Sequence, residues 1–390
     1  MKILHTVASL WEGSGGPVAA VTSLCAGLAA RGHELTLLTG AGPLHPAVLE
    51  LRSRVRLRTE PLGPYRAANW SPAFRAACLE EARRADLIHD YGLWLHTNWS
   101  SVRMAGRAGR PVVRSPMGML SAWALQRSRL RKRLVWSLIE RRLFDDAALV
   151  HSTSEMEERD VKRLRVVTRT VVIPHGVDLE REYAISRVAA ARQAGVPETD
   201  GRRVVLFLSR IHPVKGLDLL RRVWAELPTD LPALLLIAGP GDEAALADLR
   251  RWLVEQPGPP ARYVGPVTGE RKLALLSSAW VMALPSYSEN YGMVVAEALA
   301  CGTPVLTTTG MPWAEVAATG CGWVIEPRID SLRRALQEAL GLAADEHEPM
   351  RARARALVDR SHSLERAVTR MEESYEAVVK GAGLRSAATP

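Results

Sequence analysis

Leu284-Pro285-Ser286-Tyr287-Ser288-Glu289-Asn290-Tyr291-Gly292-Met293-Val294-Val295-Ala296-Glu297-Ala298-Leu299-Ala300-Cys301-Gly302-Thr303-Pro304-Val305 is the stretch from which the rest of the chain can be read. An apolar run ending at Pro285 reads as a buried strand and the polar residues after it as a loop. The segment from Gly292 to Gly302 reads as a helix closed by glycine, with the next strand following at once. Strand, loop, helix and strand in so few residues form the unit of a parallel sheet crossed over by helices. Glu289 falls in the loop just before the helix N-terminus, and Glu297 lies about one and a half turns inside it. Backbone N–H groups of Asn290, Tyr291 and Gly292 would point out of that N-terminus toward a polar ligand, which Gly292 lets approach closely. A carboxylate in the loop can accept hydrogen bonds from sugar hydroxyls, and one on the inner helix face can bind the vicinal diol of a ribose. Two acids alone would be a cap and a surface side chain; their setting argues for a site.

The alternation runs outward in both directions. Short β-branched runs at 3–7, 34–38, 87–89, 112–114, 148–150 and 170–173 are expected strands of the first half, with helix-period segments such as 18–30, 73–84 and 155–164 among them. After a polar interval from about 179 to 202, strands are expected at 203–208, 234–238, 262–264, 281–284, 304–307 and 323–325. Two such runs predict an α/β chain of two Rossmann-like, doubly wound parallel-sheet domains, residues 1–178 and 200–363. The closing helical segment 364–382 is expected to return to the first domain. In such sheets ligands bind outside the carboxyl ends of the strands, so domains facing each other would hold the site in the cleft between them.

Whole-chain properties narrow the class. With 390 residues, 47% apolar and 24% charged, the chain has ordinary globular composition and room for two cores. No apolar run approaches the roughly 20 residues needed to span a bilayer. The opening Met1-Lys2-Ile3-Leu4-His5-Thr6-Val7 reads as a strand and not as a signal peptide, so the expected location is cytoplasmic. Cys25, Cys78, Cys301 and Cys321 are scattered, which argues for buried apolar thiols over disulfides or a metal site. A net charge of +9 asks for an anionic partner. Part of the excess lies in 127–142, where Arg127, Arg129, Arg131, Lys132, Arg133, Arg141 and Arg142 face one acid, Glu140, and interleave with Leu130, Leu134, Trp136 and Leu138. This reads as an amphipathic basic helix, suited to an anionic membrane surface or a lipid-linked anionic acceptor, or else as a solvated face. Nucleic acid is not expected, because no binding module for it is present.

A second cluster lies in Leu206-Phe207-Leu208-Ser209-Arg210-Ile211-His212-Pro213-Val214-Lys215-Gly216-Leu217. Strand, basic loop and helix place Arg210 and Lys215 at the carboxyl end of the sheet, where an Arg fork and a Lys point charge can neutralise a diphosphate. The loops Ala238-Gly239-Pro240-Gly241 and Tyr263-Val264-Gly265-Pro266-Val267 follow the next two strands. Near the N-terminus, Glu12-Gly13-Ser14-Gly15-Gly16-Pro17 separates the first strand from the first helix, and Gly15 and Gly16 suit close approach to an anion. No Asp-x-Asp sequence and no His/Cys cluster occurs, so no metal or other cofactor is expected.

Together these stretches resemble glycosyltransferase family 4, retaining enzymes of the GT-B fold. The Glu289…Glu297 spacing matches the family's Glu-x7-Glu signature, and Glu297-Ala298-Leu299-Ala300-Cys301-Gly302-Thr303-Pro304-Val305 follows its wording. The resemblance implies that Glu289 contacts the transferred sugar, Glu297 the donor ribose, and Arg210 and Lys215 the donor phosphates, which makes Glu289, Arg210 and Lys215 the expected catalytic set. It implies a nucleotide-diphosphate sugar as co-substrate, held also by Gly15, Gly16, Gly239, Val267, Asn290, Tyr291 and Gly292. Ile173-Pro174-His175-Gly176-Val177-Asp178 resembles the turn at the family's domain junction. Ser115-Pro116-Met117-Gly118-Met119-Leu120 resembles a subgroup tied to bacterial exopolysaccharide and lipopolysaccharide assembly, but places Met117 where many members carry a histidine. On the acceptor side Asp90, His96 and Arg114 are candidates to face a saccharide or lipid-linked acceptor, with local turn and capping interactions the equal alternative for Asp90 and His96. Alternatives from the same residues are a GT-B epimerase or phosphorylase, or a non-catalytic sugar-nucleotide-binding subunit.

Overall fold

The computed structural model describes residues 1–11, 16–64, 68–179 and 201–387, with side chains up to 381. Gly15 and most of the polar interval between the expected domains lie outside the described residues. The chain divides into two compact units, Met1–Gly176 with Leu364–Pro390, and Val177–Ser363.

The first unit holds a parallel sheet of β1 (Lys2–Val7), β2 (Glu34–Gly40), β3 (Arg56–Glu60), β4 (Leu87–Tyr91), β5 (Val112–Ser115), β6 (Leu149–Ser152) and β7 (Thr170–Val172), in the order β3-β2-β1-β4-β5-β6-β7. The central strands are buried on both faces, as β4 is from Leu87 to Tyr91; apolar residues predominate in them, and the polar ones they carry, such as His89 and Asp90, are hydrogen-bonded inside. β3 was not expected. Its sequence, Arg-Leu-Arg-Thr-Glu, carries no apolar run because it is the edge strand beside β2, and charge on an edge strand guards its open hydrogen-bonding side.

The final helix, Leu364–Ala387, belongs to this unit. Val368, Met371 and Tyr375 are buried in the core shared with Val18, Val21 and Leu28 of the helix Gly16–Ala30. Glu372 pairs with Arg31 at 2.7 Å and with the His33 ring at 2.8 Å. Beneath the final helix runs a buried polar seam across the sheet. The His89 ring meets the Tyr375 hydroxyl at 2.5 Å and the Ser115 hydroxyl at 2.7 Å, and Ser115 meets His151 at 2.8 Å.

The basic segment is not the single helix expected over 127–142. Ser128 sits in the left-handed region, and the chain then forms an α-helix over Arg129–Val135, a π turn over Trp136–Glu140 and a further α-helix over Arg141–Asp145. The wide turn coincides with Glu140, which is buried and accepts hydrogen bonds from the Trp94 N–H (2.8 Å), the Trp99 indole (2.9 Å) and the Arg114 guanidinium.

The second unit holds β8 (Arg203–Leu208), β9 (Ala233–Ala238), β10 (Ala261–Tyr263), β11 (Val281–Ala283), β12 (Val305–Thr308) and β13 (Gly322–Ile325), all parallel, in the order β10-β9-β8-β11-β12-β13. Its middle is built from Arg-Val-Val-Leu-Phe-Leu and Ala-Leu-Leu-Leu-Ile-Ala, each covered by helices on both faces. From β8 the chain steps outward to β9 and β10, then returns to β11 on the other side and steps outward again. The neighbours β8 and β11 therefore flank the point where the strand order reverses. All four cysteines are buried, and none forms a disulfide. Among the described residues no helix is long and apolar enough to cross a membrane, and no group of three or more His, Cys, Asp or Glu side chains is placed to hold a metal ion.

Candidate functional site

At the switch point of a doubly wound sheet, adjacent strands send their following helices to opposite faces and leave a crevice at their carboxyl ends. The loops leaving β8 and β11 carry Arg210 and Lys215 on one side, Glu289 on the other. The β8 loop turns through a short 3₁₀ segment, Pro213–Lys215, capped by the His212 side chain. It enters the helix Leu217–Ala225 through Gly216, at φ +71°. A Cβ on Gly216 would stand 1.9 Å from the Pro285 carbonyl oxygen, so only glycine lets the two loops meet here. The Tyr287 N–H donates to the Val214 carbonyl at 2.8 Å, and the Lys215 ammonium is paired with the Glu289 carboxylate. Arg210, in the same loop as Lys215, is exposed.

The β11 loop is held from below. The Glu289 N–H donates to Gly310 O at 3.0 Å, and the Ser286 hydroxyl to a Glu289 carboxylate oxygen at 3.3 Å. The Tyr291 side chain is buried; its hydroxyl meets His362 at 2.9 Å, and His362 meets Glu315 at 3.0 Å. That hydrogen bond holds the Glu315 carboxyl below its ordinary range. The Trp313 indole N–H donates to Tyr291 O at 2.5 Å. The Tyr291 side chain is thus committed to the frame, and Gly292, at φ +80°, opens the helix Met293–Ala300. The buried side-chain carbonyl of Asn290 has no hydrogen-bond partner, a costly state that a polar ligand would relieve.

Glu297 lies on the inner face of this helix, 8% exposed, and accepts from the Lys272 ammonium at 2.6 Å. Lys272 was not singled out in the sequence. It sits in a helix, Gly269–Ser278, whose charged residues read as a solvated face, and nothing local marks which of them turns inward. Val267, half-buried against the core, leads into that helix. Gly265 O accepts from the Gly239 N–H at 3.0 Å, and Tyr263 donates to Gly239 O at 2.8 Å. Gly239 in turn packs so tightly on the β8 loop that a Cβ would lie 1.9 Å from Ser209 O. Contacts and chain links together run round the carboxyl edge: Lys215 pairs with Glu289, the helix leads from there to Glu297, which pairs with Lys272, and the Gly265–Gly239 hydrogen bond and the packing of Gly239 on Ser209 lead back to the loop that carries Arg210. This ring carries two carboxylates, each paired with a lysine, and a helix N-terminus.

In the first unit the structure corrects the expectation for Asp90 and Arg114. Both side chains are interior, 1% and 0% exposed. Arg114 donates to Glu140 at 3.1 and 3.2 Å and lies 3.6 Å from Asp90. Asp90 accepts from Thr6 at 2.9 Å and Asn98 at 3.2 Å. Burial pushes the Asp90 carboxyl up to about 7 against the opposing pull of Arg114. These groups hold the unit together and do not face outward. His96 is likewise buried, accepting from the Ser71 N–H at 3.2 Å with its ring 4.2 Å from that of Trp70; burial lowers its pKa. Gly16 is exposed at the start of its helix, while Gly15 lies outside the described residues.

Two family patterns match the sequence: "Glycosyl transferases group 1" over residues 191–356 and "Glycosyl transferase 4-like domain" over residues 15–176. A D-inositol 3-phosphate glycosyltransferase of Kineococcus radiotolerans is 31% identical over 366 residues, covering 86% of this chain and 80% of the relative. The enzyme of the same name from Mycolicibacterium smegmatis is 29% identical over 306 residues, covering 74% and 70%. Among solved structures, Anabaena Alr3699/HepE in complex with UDP and glucose superposes with a TM-score of 0.76 at 17% identity, covering 97% of this chain and 100% of that one. WaaG, a glycosyltransferase involved in lipopolysaccharide biosynthesis, superposes with a TM-score of 0.73 at 19% identity, covering 96% and 99%.

Proposed function

We propose how sugar transfer works in this chain, which belongs to the group 1 glycosyltransferases with a 4-like N-terminal domain and is a glycosyltransferase of the GT-B fold. The donor is a nucleotide-diphosphate sugar seated on the second unit: its ribose diol on Glu297, its phosphates on Arg210, Lys215 and the amides at Gly292, its sugar on Glu289 and Asn290. The observation that supports this reading is that both glutamates are paired with lysines at the β8–β11 switch point, Glu289 with Lys215 and Glu297 with Lys272. A bound donor would divide those pairs. Its diphosphate competes for Lys215, and its sugar hydroxyls take over Glu289.

As the C1–O bond stretches, charge grows on the departing phosphate, and Arg210 and Lys215 stand ready to stabilise it without a metal ion. The leaving phosphate oxygen then takes the proton of the incoming hydroxyl on the same face, so the anomeric configuration is retained. The acceptor is a saccharide or lipid-linked saccharide presented by the first unit, in the assembly of cell-surface polysaccharide on the cytoplasmic side.

The test is to offer a set of nucleotide sugars with lipid-linked and free saccharide acceptors, following nucleoside diphosphate release and the anomeric configuration of the product, with and without a chelator. Acceptor-dependent, chelator-insensitive release with retention supports the reading. Product formed without any acceptor, a requirement for free phosphate, or inversion would overturn it. Glu289→Ala and Arg210→Ala should each lower the rate by about 100-fold or more, the scale of losing one preorganised charged contact.

A further inference from the structure

The first unit carries a surface that sugar transfer does not explain. Leu130, Leu134 and Leu138, each four residues from the next, are 83%, 59% and 61% exposed, and Trp123 just before them is 40% exposed. Single exposed leucines are ordinary, but a row of three on one short element is not. The inner side of the same element is already anchored. The Trp136 ring lies 5.5 Å from Phe144 and 6.3 Å from Trp94, and Leu143 and Phe144 are buried. The leucine row is thus a second apolar face, pointing away from the core that holds the element in place.

Its charge is one-sided. Arg127, Arg129, Arg131, Arg133, Arg141 and Arg142 are all exposed. The one acid among them, Glu140, is removed from the surface, fully buried against Arg114 and the two tryptophan N–H groups. The fold turns a segment that is mostly basic in sequence into one whose exposed charges are all positive. Past the exposed Asp145 and Asp146 at the end of this element, Arg75, Arg103, Arg107 and Arg110 line a depression of about 730 Å³ that Asp146 borders.

We infer that this face, 127–142, is a peripheral docking surface for an anionic lipid bilayer, with the leucine row entering the headgroup boundary and the arginines holding lipid phosphates. Leucines flanked by arginines, with no acid between them, match the interface between hydrocarbon and negative headgroups. A second copy of this chain would set one arginine cluster against another. A nucleic acid would satisfy the arginines and leave the leucines in water. The inference is independent of which sugar is moved, and of whether the donor site is correctly assigned.

The test is flotation of the full-length chain with vesicles of phosphatidylcholine alone and with equal parts of phosphatidylglycerol, alongside a Leu130→Ser/Leu134→Ser/Leu138→Ser variant and an Arg129→Glu/Arg133→Glu variant. These positions are exposed, so thermal midpoint and nucleoside diphosphate binding should stay at wild-type values, and both are measured to establish that the variants fold. The wild type should float with the anionic vesicles and far less with the neutral ones, and should release as salt rises. Either variant should weaken that binding by about tenfold or more. No flotation with anionic vesicles, whatever proteins the chain captures instead, would overturn the inference. So would equal binding to neutral vesicles, or folded variants that bind as the wild type does.

Discussion

Glu297 and Lys272 show what a side chain's setting adds to its identity. Glu297 was legible in the sequence because its spacing from Glu289 places it on the inner face of the helix that follows the Glu289 loop. Lys272, which approaches it to 2.6 Å, lies 25 residues earlier in a helix of ordinary charged composition, and only the packing of one helix on another brings the two together. Arg114 shows the reverse. A basic residue at a strand's carboxyl end reads as a site residue, but burial and the Glu140 carboxylate make it part of the frame. Removing one member of a buried charged network leaves the others uncompensated, so Arg114→Ala should destabilise the first unit by about 3–5 kcal/mol. Denaturant unfolding would check this; a loss near zero would mean that Glu140 and Asp90 find other partners.

At the scale of elements, the strands of both sheets were legible wherever they are covered on both faces, because apolar residues dominate a buried strand and the few polar ones there, such as Asp90 and Arg114, are paired inside the fold. The edge strand β3 was not, since its exposure lets arginine, threonine and glutamate stand where a central strand would carry leucine. The π turn at Trp136–Glu140 was invisible for a different reason: the periodicity around it is helical, and it is the inward pull on Glu140 that widens the turn. The proposed donor site depends on the loops after β8 and β11 meeting backbone to backbone. Gly216→Ala puts a Cβ at a left-handed position and within 1.9 Å of Pro285 O, so the loops must part. Displacing Lys215 and Glu289 by even an ångström should lower turnover on the order of 100-fold. Steady-state kinetics on the folded variant checks it, and near-wild-type turnover would show that the loops need not meet.

Across the whole molecule, the first unit folds round histidines that must stay neutral. Burial lowers His5 to about 3 and His151 to about 4, and His89 well below its ordinary 6.5. The unfolded chain takes up protons at these residues near pH 6.5, while the folded chain resists until far lower pH. The stability they contribute is therefore complete above about 6.5 and is lost as pH falls toward 4. Thermal midpoints should fall over that window, and fall less steeply in a folded His151→Gln variant; equal slopes would remove the histidines as the cause. The donor assignment proposed for the second unit rests on one arrangement of loops at the β8–β11 switch point. Calorimetric titration of nucleoside diphosphates, UDP first, into the wild type and into Arg210→Ala and Glu297→Ala examines that arrangement without needing the acceptor. One nucleoside diphosphate should bind at a single site, and each substitution should weaken it by about tenfold or more, the loss of one charged hydrogen bond. Folded variants that bind as tightly as the wild type would contradict the assignment of the donor to this ring.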